Sequence, residues 1–227
     1  MLRMTLFLVI ISSILTGQTS IASNFSFTQI GLQQEMPSYV NYVYEESNGI
    51  VWLDTSSGLI RYDGKDLKYY AIPIIRSTNN YKRILQIIED QKHQLWFLTV
   101  NGLVRYSKTN DNFTPCYTTN GQELISAGAV CRTQDGLIFG GTDKLYKYSY
   151  ETDEINVLTE LGYKEDFFIQ RMKFWDPHTL ICSNREKDIL LFDIDNKKIL
   201  PTSFSKTNNY ADLCIDNEGN LWITDYN

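Results

Sequence analysis

The sequence predicts an all-β fold that is built from a repeated four-stranded antiparallel unit. Three observations support this prediction: short segments in which apolar and polar residues alternate, tight-turn dipeptides between these segments, and a motif that recurs along the chain. Aromatic residues, which favour strands, make up 13% of the 227 residues. The hydrophobic fraction of 43% is sufficient for a substantial core.

The first unit contains four predicted strands, at 40–46, 50–55, 59–63 and 67–72. Tight turns are predicted at Asn48-Gly49 and Ser57-Gly58, because glycine and asparagine tolerate the backbone angles that such turns require. The fourth strand ends before Pro73, which cannot donate a ladder hydrogen bond. Four antiparallel strands in about 40 residues are typical of one blade of a β-propeller.

The second unit repeats the first at an offset of 44 residues, which relates Trp52 to Trp96. Five more identities share this offset: Thr55 and Thr99, Gly58 and Gly102, Leu59 and Leu103, Arg61 and Arg105, and Tyr62 and Tyr106. A meander of four strands has two faces to bury, so blades pack face to face. The Trp, Leu and Tyr of the motif are therefore expected to fill the space between blades.

Three further copies of the unit are weaker. The third, at 130–148, is expected to have Phe139 at the position of the Trp, after a one-residue deletion in its second turn. The fourth, around 180–192, is degenerate, and Trp175 is expected to pack where the missing motif Trp would lie. The fifth restores Trp222. The sequence thus predicts a partial β-propeller of about four blades and a half-blade, near 40–72, 84–113, 127–156, 170–200 and 210–227.

The N-terminal residues indicate export. Arg3 precedes an apolar run at 6–15, and Ser20-Ile21-Ala22 provides small residues for a cleavage site. We therefore expect a signal peptide at 1–22, a mature chain at 23–227 and a periplasmic location. A retained membrane anchor is the alternative interpretation of the same apolar run.

The charge and the cysteines exclude several other classes of protein. With 21 Lys and Arg against 27 Asp and Glu, the formal charge is −6, which disfavours nucleic acid as a partner. The spacing of the four cysteines suits neither a zinc site nor close disulfides, and we expect buried free thiols at Cys116, Cys131, Cys182 and Cys214. No cofactor or metal is expected.

The repeat resembles a known family. Residues 46–62 and 90–106 are similar to the two-component regulator propeller repeat, in which an acidic residue, Gly, Ile/Leu-Trp, Thr, Gly-Leu and Arg/Tyr follow one another. The stretch from Phe25 to Pro37-Ser38 and the first repeat resemble the start of the periplasmic sensor region of hybrid two-component systems. The resemblance extends over nearly all of the mature chain, and it is weakest in the fourth unit.

The resemblance implies that the chain is the ligand-sensing portion of a receptor, with a glycan or oligosaccharide as ligand. It also implies that the parent receptor continues with more blades, a membrane span and a kinase, and that this receptor forms a homodimer. On this interpretation the membrane is reached only through the missing C-terminal parts. The chain itself is not expected to be an enzyme, because any kinase activity belongs to the absent domains.

Ligand contacts are expected on the long connections between blades, at 31–38, 73–83, 114–128, 157–170 and 200–209, which the topology places on one face. Aromatic and polar side chains outside the repeated motif combine stacking surface with hydrogen-bonding groups, as a sugar requires. The candidates are Arg76, Asn80, Tyr81, Tyr117, Asn120, Tyr163, Asn209 and Tyr210. The repeated residues are interpreted as structural instead.

Among these repeated residues, Arg61 and Arg105 are expected to cover the contacts between blades. The motif tryptophans are assigned to the core. Turn backbone is the expected hydrogen-bond partner of Thr55, Thr99, Thr142 and Thr224. The imidazole of His93, which replaces a turn glycine, is expected to face solvent.

Two other classes of function stay open. One is a propeller glycoside hydrolase or lyase, because residues 216–222 look superficially like the Asp-box of sialidases. The register is wrong, since Asp216 lies three residues before Gly219 and no Ser or Thr precedes it. The other is a scaffold propeller, which would bind a protein partner with the same loop face.

The N-terminal segment at 24–30 has the pattern of a strand that closes the final blade of a propeller. The rest of that blade is missing from the sequence. We therefore expect the isolated chain to form an open or strained arc and to bind its ligand weakly or not at all.

Overall fold

The computed structural model describes residues 39–71, 83–100, 102–121, 127–162, 168–184, 189–202 and 210–225. All regular elements in these ranges are β-strands, as the sequence predicts. These ranges belong to the unit Pro37–Asn227, and the other unit, Met1–Met36, lies outside the described residues. The predicted signal peptide and the predicted closing strand at 24–30 therefore lie outside them too. Within the described part of the chain, no helix is long and apolar enough to span a membrane.

Four sheets each contain four antiparallel strands that pair in chain order. Blade 1 consists of β1 (Val40–Glu45), β2 (Val51–Thr55), β3 (Gly58–Tyr62) and β4 (Leu67–Tyr70). Blade 2 consists of β5 (Ile84–Glu89), β6 (Leu95–Thr99), β7 (Gly102–Ser107) and β8 (Asn112–Pro115). Blade 3 consists of β9 (Ala129–Arg132), β10 (Gly136–Gly140), β11 (Lys144–Ser149) and β12 (Glu154–Glu160).

Blade 4 consists of β13 (Ile169–Phe174), β14 (Thr179–Asn184), β15 (Ile189–Asp193) and β16 (Lys198–Leu200). A half-blade of two strands follows, formed by β17 (Tyr210–Ile215) and β18 (Leu221–Asp225). The first strands of successive blades contact each other, so they lie innermost: β1 with β5, β5 with β9, β9 with β13, and β13 with β17. The prediction of a partial propeller of four-stranded blades is confirmed.

The meander fixes two ends for each blade. The turns after the first and third strands lie at one end, which we call the short-turn end. The turn after the second strand and the long connection to the next blade lie at the opposite end. We call the contact surface between two successive blades a seam and name it by the two blades it joins.

The turn after the first strand explains an error of register in the sequence analysis. In blade 2, the amide of Asp90 donates to the carbonyl of Gln94, which leaves three residues in the turn. In blade 3, the amide of Thr133 donates to the carbonyl of Gly136, which leaves two. The deleted residue is thus in the first turn and not the second.

This deletion changes which residue of blade 3 replaces the Trp. Trp96 lies opposite Arg105 in the β6–β7 pairing, and the corresponding pair in blade 3 is Ile138 and Lys147. Ile138 therefore occupies the Trp position, whereas Phe139 corresponds to Phe97 of blade 2. The prediction of Phe139 at that position is wrong by one residue.

Aromatic rings fill the first two seams. The ring of Trp52 lies 5.1 Å from that of Phe97 and 5.0 Å from that of Tyr106, both on blade 2. Trp96 makes the same kind of contact across seam 2/3, where its ring lies 4.6 Å from that of Tyr148. These edge-to-face and tilted arrangements stabilise aromatic pairs beyond their buried area.

The later seams are mainly aliphatic. Ile138 packs in a cluster with Ile169 and Met172 of blade 4. Ile181 occupies the Trp position of blade 4, and the partly buried Trp175 packs against its cluster, together with Leu213 of the half-blade. The expectation that Trp175 takes the place of the missing motif Trp is confirmed.

Three of the four cysteines agree with the sequence analysis. Cys116, Cys131 and Cys182 are buried free thiols, and burial raises the pKa of Cys131 to about 12. Cys214 is free but exposed, which corrects the prediction that it is buried. It lies opposite Trp222 on the half-blade, on a face that no further described blade covers. Trp222 is exposed for the same reason, which corrects its assignment to the core together with Trp52 and Trp96.

Candidate functional site

An acid six residues before the motif Trp binds its indole. Trp52 Nε1 donates to Glu46 Oε1 at 2.7 Å, and Trp96 Nε1 donates to Asp90 Oδ2 at 2.8 Å. Blades 3 and 4 lack the Trp, and there the acid position holds Thr133 and Trp175, whose amides make the corresponding turn hydrogen bonds. The acid and the indole thus occur together as a structural pair.

The repeated threonines fall into two groups. Thr55 Oγ1 donates to the carbonyl of Gly58 at 2.7 Å, and Thr99 makes the equivalent hydrogen bond at 2.9 Å, so both bind turn backbone as predicted. Thr142 instead forms an isolated bridge with Phe168. Thr224 exchanges hydrogen bonds with the backbone of Asp212 on the neighbouring strand, because it lies one residue earlier in the repeat than the sequence analysis assumes.

A second structural pair joins the third strand to the turn after it. Tyr106 Oη donates to Asp111 Oδ1 at 2.6 Å, and Tyr148 Oη donates to Asp153 Oδ1 at 2.7 Å. Both aspartates have left-handed backbones, with φ of 53° and 55°. In blade 4 the same two positions hold Phe192 and Lys197, which can form neither half of this hydrogen bond.

Each of these aspartates also contacts the preceding blade. Asp111 accepts hydrogen bonds from Tyr70 Oη at 2.6 Å and from Lys68, both on β4. The hydrogen bonds from Lys68, Tyr106 and Tyr70 hold the pKa of Asp111 well below its usual range. Asp111 is therefore an ionised part of seam 1/2.

At seam 2/3, Arg105 Nη1 donates to Asp153 Oδ1 at 2.7 Å, and its guanidinium lies 5.4 Å from the centre of the Trp96 ring. Burial favours a raised pKa for Asp153, but the hydrogen bonds from Arg105 and Tyr148 outweigh it and lower the pKa. The prediction that Arg105 covers a seam is confirmed. Arg61 lies opposite Trp52 in the β2–β3 pairing, and its role at a seam stays a prediction.

A groove of about 370 Å³ opens beside this ion pair. Its lining comes from the outer strands of blades 2 and 3 and from the loop that follows β8, and it includes Arg105, Asp153, Tyr117, Thr119 and Glu154. The loop is held against blade 3, because the amide and the hydroxyl of Thr119 both donate to the carbonyl of Ile155, at 2.9 and 3.1 Å. These hydrogen bonds fix the position of the loop, and with it one wall of the groove at seam 2/3.

Tyr117 and Asn120, two of the predicted ligand contacts, lie on this loop. Tyr117 lines the groove and is 47% exposed, so its ring is available to a ligand. Asn120 is exposed beside the groove, and its Oδ1 accepts a hydrogen bond from Thr118 Oγ1 at 2.5 Å. The structure thus brings an aromatic ring, a charged pair and hydroxyl groups together within one groove.

The other six predicted ligand contacts do not lie on this loop. Tyr210 is the first residue of β17 and does not belong to the connection before it. Arg76, Asn80, Tyr81, Tyr163 and Asn209 lie outside the described residues. Their roles, and that of Tyr210, stay predictions.

A Ser–His–Glu cluster at seam 1/2 was missed by the sequence analysis. Ser47 Oγ donates to Glu89 Oε1 at 3.0 Å, and both oxygens lie close to His93 Nδ1, at 3.2 and 3.1 Å. A catalytic triad needs one ring nitrogen for the nucleophile and the other for the acid. Here a single nitrogen faces both groups, so this arrangement does not activate the serine.

The same cluster instead connects blades 1 and 2. The Glu89 carboxylate accepts the amide of Ser47 at 2.8 Å, and Lys108 Nζ lies 3.4 Å from it and 2.7 Å from Glu46 Oε2. Burial alone would raise the pKa of Glu89, but the hydrogen bonds from Ser47 and His93 and the charge of Lys108 lower it to about 2. His93 is largely exposed, as predicted, and has a φ of 57°. Among the described residues, no group of three or more His, Cys, Asp or Glu side chains could hold a metal ion.

No protein-family profile matches the chain, and no curated protein is significantly similar to it. Solved structures do resemble it. The extracellular domain of a hybrid two-component system from B. thetaiotaomicron aligns with a TM-score of 0.68 and 16% identity, covering 87% of this chain and 29% of the other. A second such domain from the same organism aligns with a TM-score of 0.61 and 20% identity, covering 87% and 26%.

Virginiamycin B lyase from Staphylococcus aureus aligns with a TM-score of 0.58 and 14% identity, covering 81% of this chain and 62% of the lyase. At these levels of identity, the likenesses establish the fold alone. The chain spans less than a third of the two extracellular domains that it resembles. It has the β-propeller architecture of two-component extracellular domains, and the resemblance inferred from its repeats is confirmed for the fold.

Proposed function

We propose that this chain is the ligand-recognising propeller portion of a two-component receptor in the periplasm, and that its ligand is a glycan or oligosaccharide. The fold likeness to extracellular domains of two-component systems, over 87% of the chain, supports the receptor class. The predicted signal peptide at 1–22 supports the location. The proposal assigns membrane attachment, dimerisation and kinase activity to parts of the parent receptor outside this chain.

The groove at seam 2/3 is the reason for proposing a glycan as the ligand. Sugars present a patch of C–H groups on one ring face and hydroxyl groups at the edge, so their sites combine an aromatic ring with fixed polar groups. In this groove, Tyr117 provides the ring. The Arg105–Asp153 pair offers a fixed donor and acceptor, and the Thr119 loop holds the tyrosine against blade 3.

This arrangement also suits a sensor. A ligand in the groove would contact blade 2 through Tyr117 and Arg105 and blade 3 through Asp153 and Glu154, so it would stabilise the packing of the two blades. Because both blades are rigid four-stranded sheets, such a change would be passed on through blade contacts to the rest of the receptor.

The test is isothermal titration calorimetry of the chain and of the full-length parent with a panel of oligosaccharides. We expect at least one oligosaccharide to bind, and Tyr117→Ala to weaken it about tenfold, which corresponds to losing one stacking contact. Tyr39→Ala is the matched control, because Tyr39 is an exposed tyrosine that precedes β1 and lies outside the groove. No binding to either protein would refute the glycan ligand, and cleavage of the bound oligosaccharide would favour a propeller hydrolase or lyase.

A further inference from the structure

A second and larger groove, of about 650 Å³, lies at seam 3/4. Its lining includes residues of the turns after β9, β13 and β15, and Gln91 in the turn after β5 of blade 2, so it opens at the short-turn end of the blades. The loop that carries Tyr117 begins at the opposite end of blade 2, and Tyr117 does not line this groove. The second groove is therefore separate from the proposed glycan site.

The departure of blade 3 from the repeat accounts for this groove. Ile138 stands where the buried indoles of Trp52 and Trp96 lie in the preceding blades. An isoleucine fills less of the seam than an indole, and the turn after β9 is one residue shorter than its counterparts. Both changes remove atoms from the same end of seam 3/4.

The floor of the groove is apolar. Phe174 and Ile194 of blade 4 are partly buried and pack against the cluster that contains Ile138. Pro177, which is exposed, completes the wall on the blade 4 side. A flat apolar body could therefore lie on Phe174 with its edge against Pro177.

The rim combines the basic side chains of Lys147, His178 and Arg132 with the carboxylates of Asp135 and Asp195. Lys147 Nζ pairs with Asp135 Oδ2 at 2.5 Å, and His178 Nδ1 lies 2.7 Å from Asp195 Oδ2. Arg132 is exposed at the same rim and forms no hydrogen bond or ion pair with the residues that the structure describes, although its charge acts on the hydroxyls of Tyr44 and Tyr150. A planar guanidinium binds a carboxylate through two parallel hydrogen bonds, which a lysine or histidine cannot do.

We propose that this groove binds a small carboxylate with a flat apolar body, with the carboxylate on Arg132 and the body on Phe174. The volume is within the usual range for small-molecule sites. Polyanions such as nucleic acid suit the groove poorly, because Asp135 and Asp195 line the same rim.

The test uses benzoate as the probe and benzamide as its neutral analogue of equal shape. Two-dimensional NMR of the labelled chain is expected to show saturable shifts with benzoate in the amides of 132–135 and 174–178, but not in those of 115–119. Benzamide is expected to bind at least tenfold more weakly, because it lacks the charge that Arg132 recognises.

Two variants and one control test whether Arg132 and the space beside Ile138 bind the probe. Arg132→Gln is expected to weaken benzoate at least tenfold and to leave benzamide unchanged, whereas Arg171→Gln, which changes an exposed arginine outside the groove, leaves both unchanged. Ile138→Trp is expected to abolish binding of both compounds by restoring the indole of the repeat. Equal affinity for benzoate and benzamide, an unaffected Arg132→Gln variant, or the absence of shifts at seam 3/4 would overturn the proposal.

Discussion

Blade 2 and the half-blade contain the same motif in different surroundings. Trp96 and Trp222 each donate an indole N–H to an aspartate six residues earlier, at 2.8 Å in both cases. Trp96 is nevertheless 1% exposed, whereas Trp222 is 63% exposed. The repeat therefore determines the geometry within a blade, and only the neighbouring blade determines whether its central ring is buried.

The inner strands show the same contrast on the opposite face. Ile84 and Ile87 of blade 2 are buried against blade 1, whereas Val40 and Val43 hold the corresponding positions of blade 1 and are exposed. Burial at a seam thus stabilises the internal blades, and among the described residues the outer faces of blade 1 and of the half-blade have no such seam. Four experiments test whether burial at the seams has this effect.

The largest expected effect is that of Trp96→Ala. Removing a fully buried indole leaves a cavity at seam 2/3, and we expect a loss of about 3–5 kcal/mol in the free energy of unfolding. Trp222→Ala is the matched control and is expected to cost less than about 1 kcal/mol, since its ring is mostly in solvent. Urea denaturation followed by circular dichroism measures both, and equal losses would contradict the role given to the neighbouring blade.

The next effect is a dependence of stability on pH at seam 1/2. The folded-state pKa of Glu89, about 2, lies below the unfolded value of about 4.3, so its contribution is fully present above that value and is lost as the pH falls through about 2. We expect Glu89→Gln to lower stability at pH 7 by about 2–3 kcal/mol and to flatten its decline between about pH 5 and 2.

Glu160→Gln provides the control for this experiment. Glu160 pairs with Lys144 at 2.7 Å, but its side chain is largely exposed, and exposed pairs contribute about 0–1 kcal/mol. Urea midpoints measured across the pH range should therefore be nearly unchanged in this variant. If stability fell as steeply with decreasing pH in Glu89→Gln as in the original chain, carboxylates other than Glu89 would be responsible for the loss of stability in acid.

A smaller effect is expected for Arg105→Gln at seam 2/3. This change removes an ion pair and a cation–π contact with Trp96, which together contribute about 1 kcal/mol. Arg171→Gln removes the exposed pair with Asp212 beside the half-blade and is expected to cost less than about 0.5 kcal/mol. Thermal unfolding of the two variants measures the difference. A larger loss of stability in Arg171→Gln would show that the contact beside the half-blade contributes more than the one at seam 2/3.

The smallest perturbation is thiol labelling of the native chain, which changes no residue. Cys214 is exposed and should react promptly with a disulfide reagent, whereas burial raises the pKa of Cys131 to about 12 and excludes the reagent. We expect one thiol to react in the native chain and four in denaturant. Prompt reaction of Cys131, located by mass spectrometry of the labelled peptides, would show that seam 3/4 opens easily.

Much of the fold could be predicted because it depends on local patterns. Alternation and turn dipeptides indicate the strands, and the recurrence of the Trp indicates the blades. The register of blade 3 could not be predicted in the same way, since Ile138 and Phe139 are both apolar and a one-residue deletion can be assigned to either turn. Only the strand pairing distinguishes the two assignments.

The candidate site was predictable only in part. Tyr117 could be selected from its place on a long connection, but the groove beside it depends on Asp153, which is distant in sequence. The contact of Ser47 with His93 and Glu89 likewise joins two blades. Cys214 shows the converse error, because its place in the repeat suggests burial and its actual exposure depends on a neighbour that a single repeat does not specify.

Asp111 and Asp153, which have left-handed backbones in the turns after β7 and β11, limit how blades can be exchanged by protein engineering. Asp111 accepts hydrogen bonds from Tyr106 of its own blade and from Tyr70 of the blade before it. A single blade moved to another position in a chimera would leave half of these partners behind. At seam 1/2, the exchangeable module therefore extends from β4 to the turn after β7, and domain shuffling there should cut the chain within blade 1.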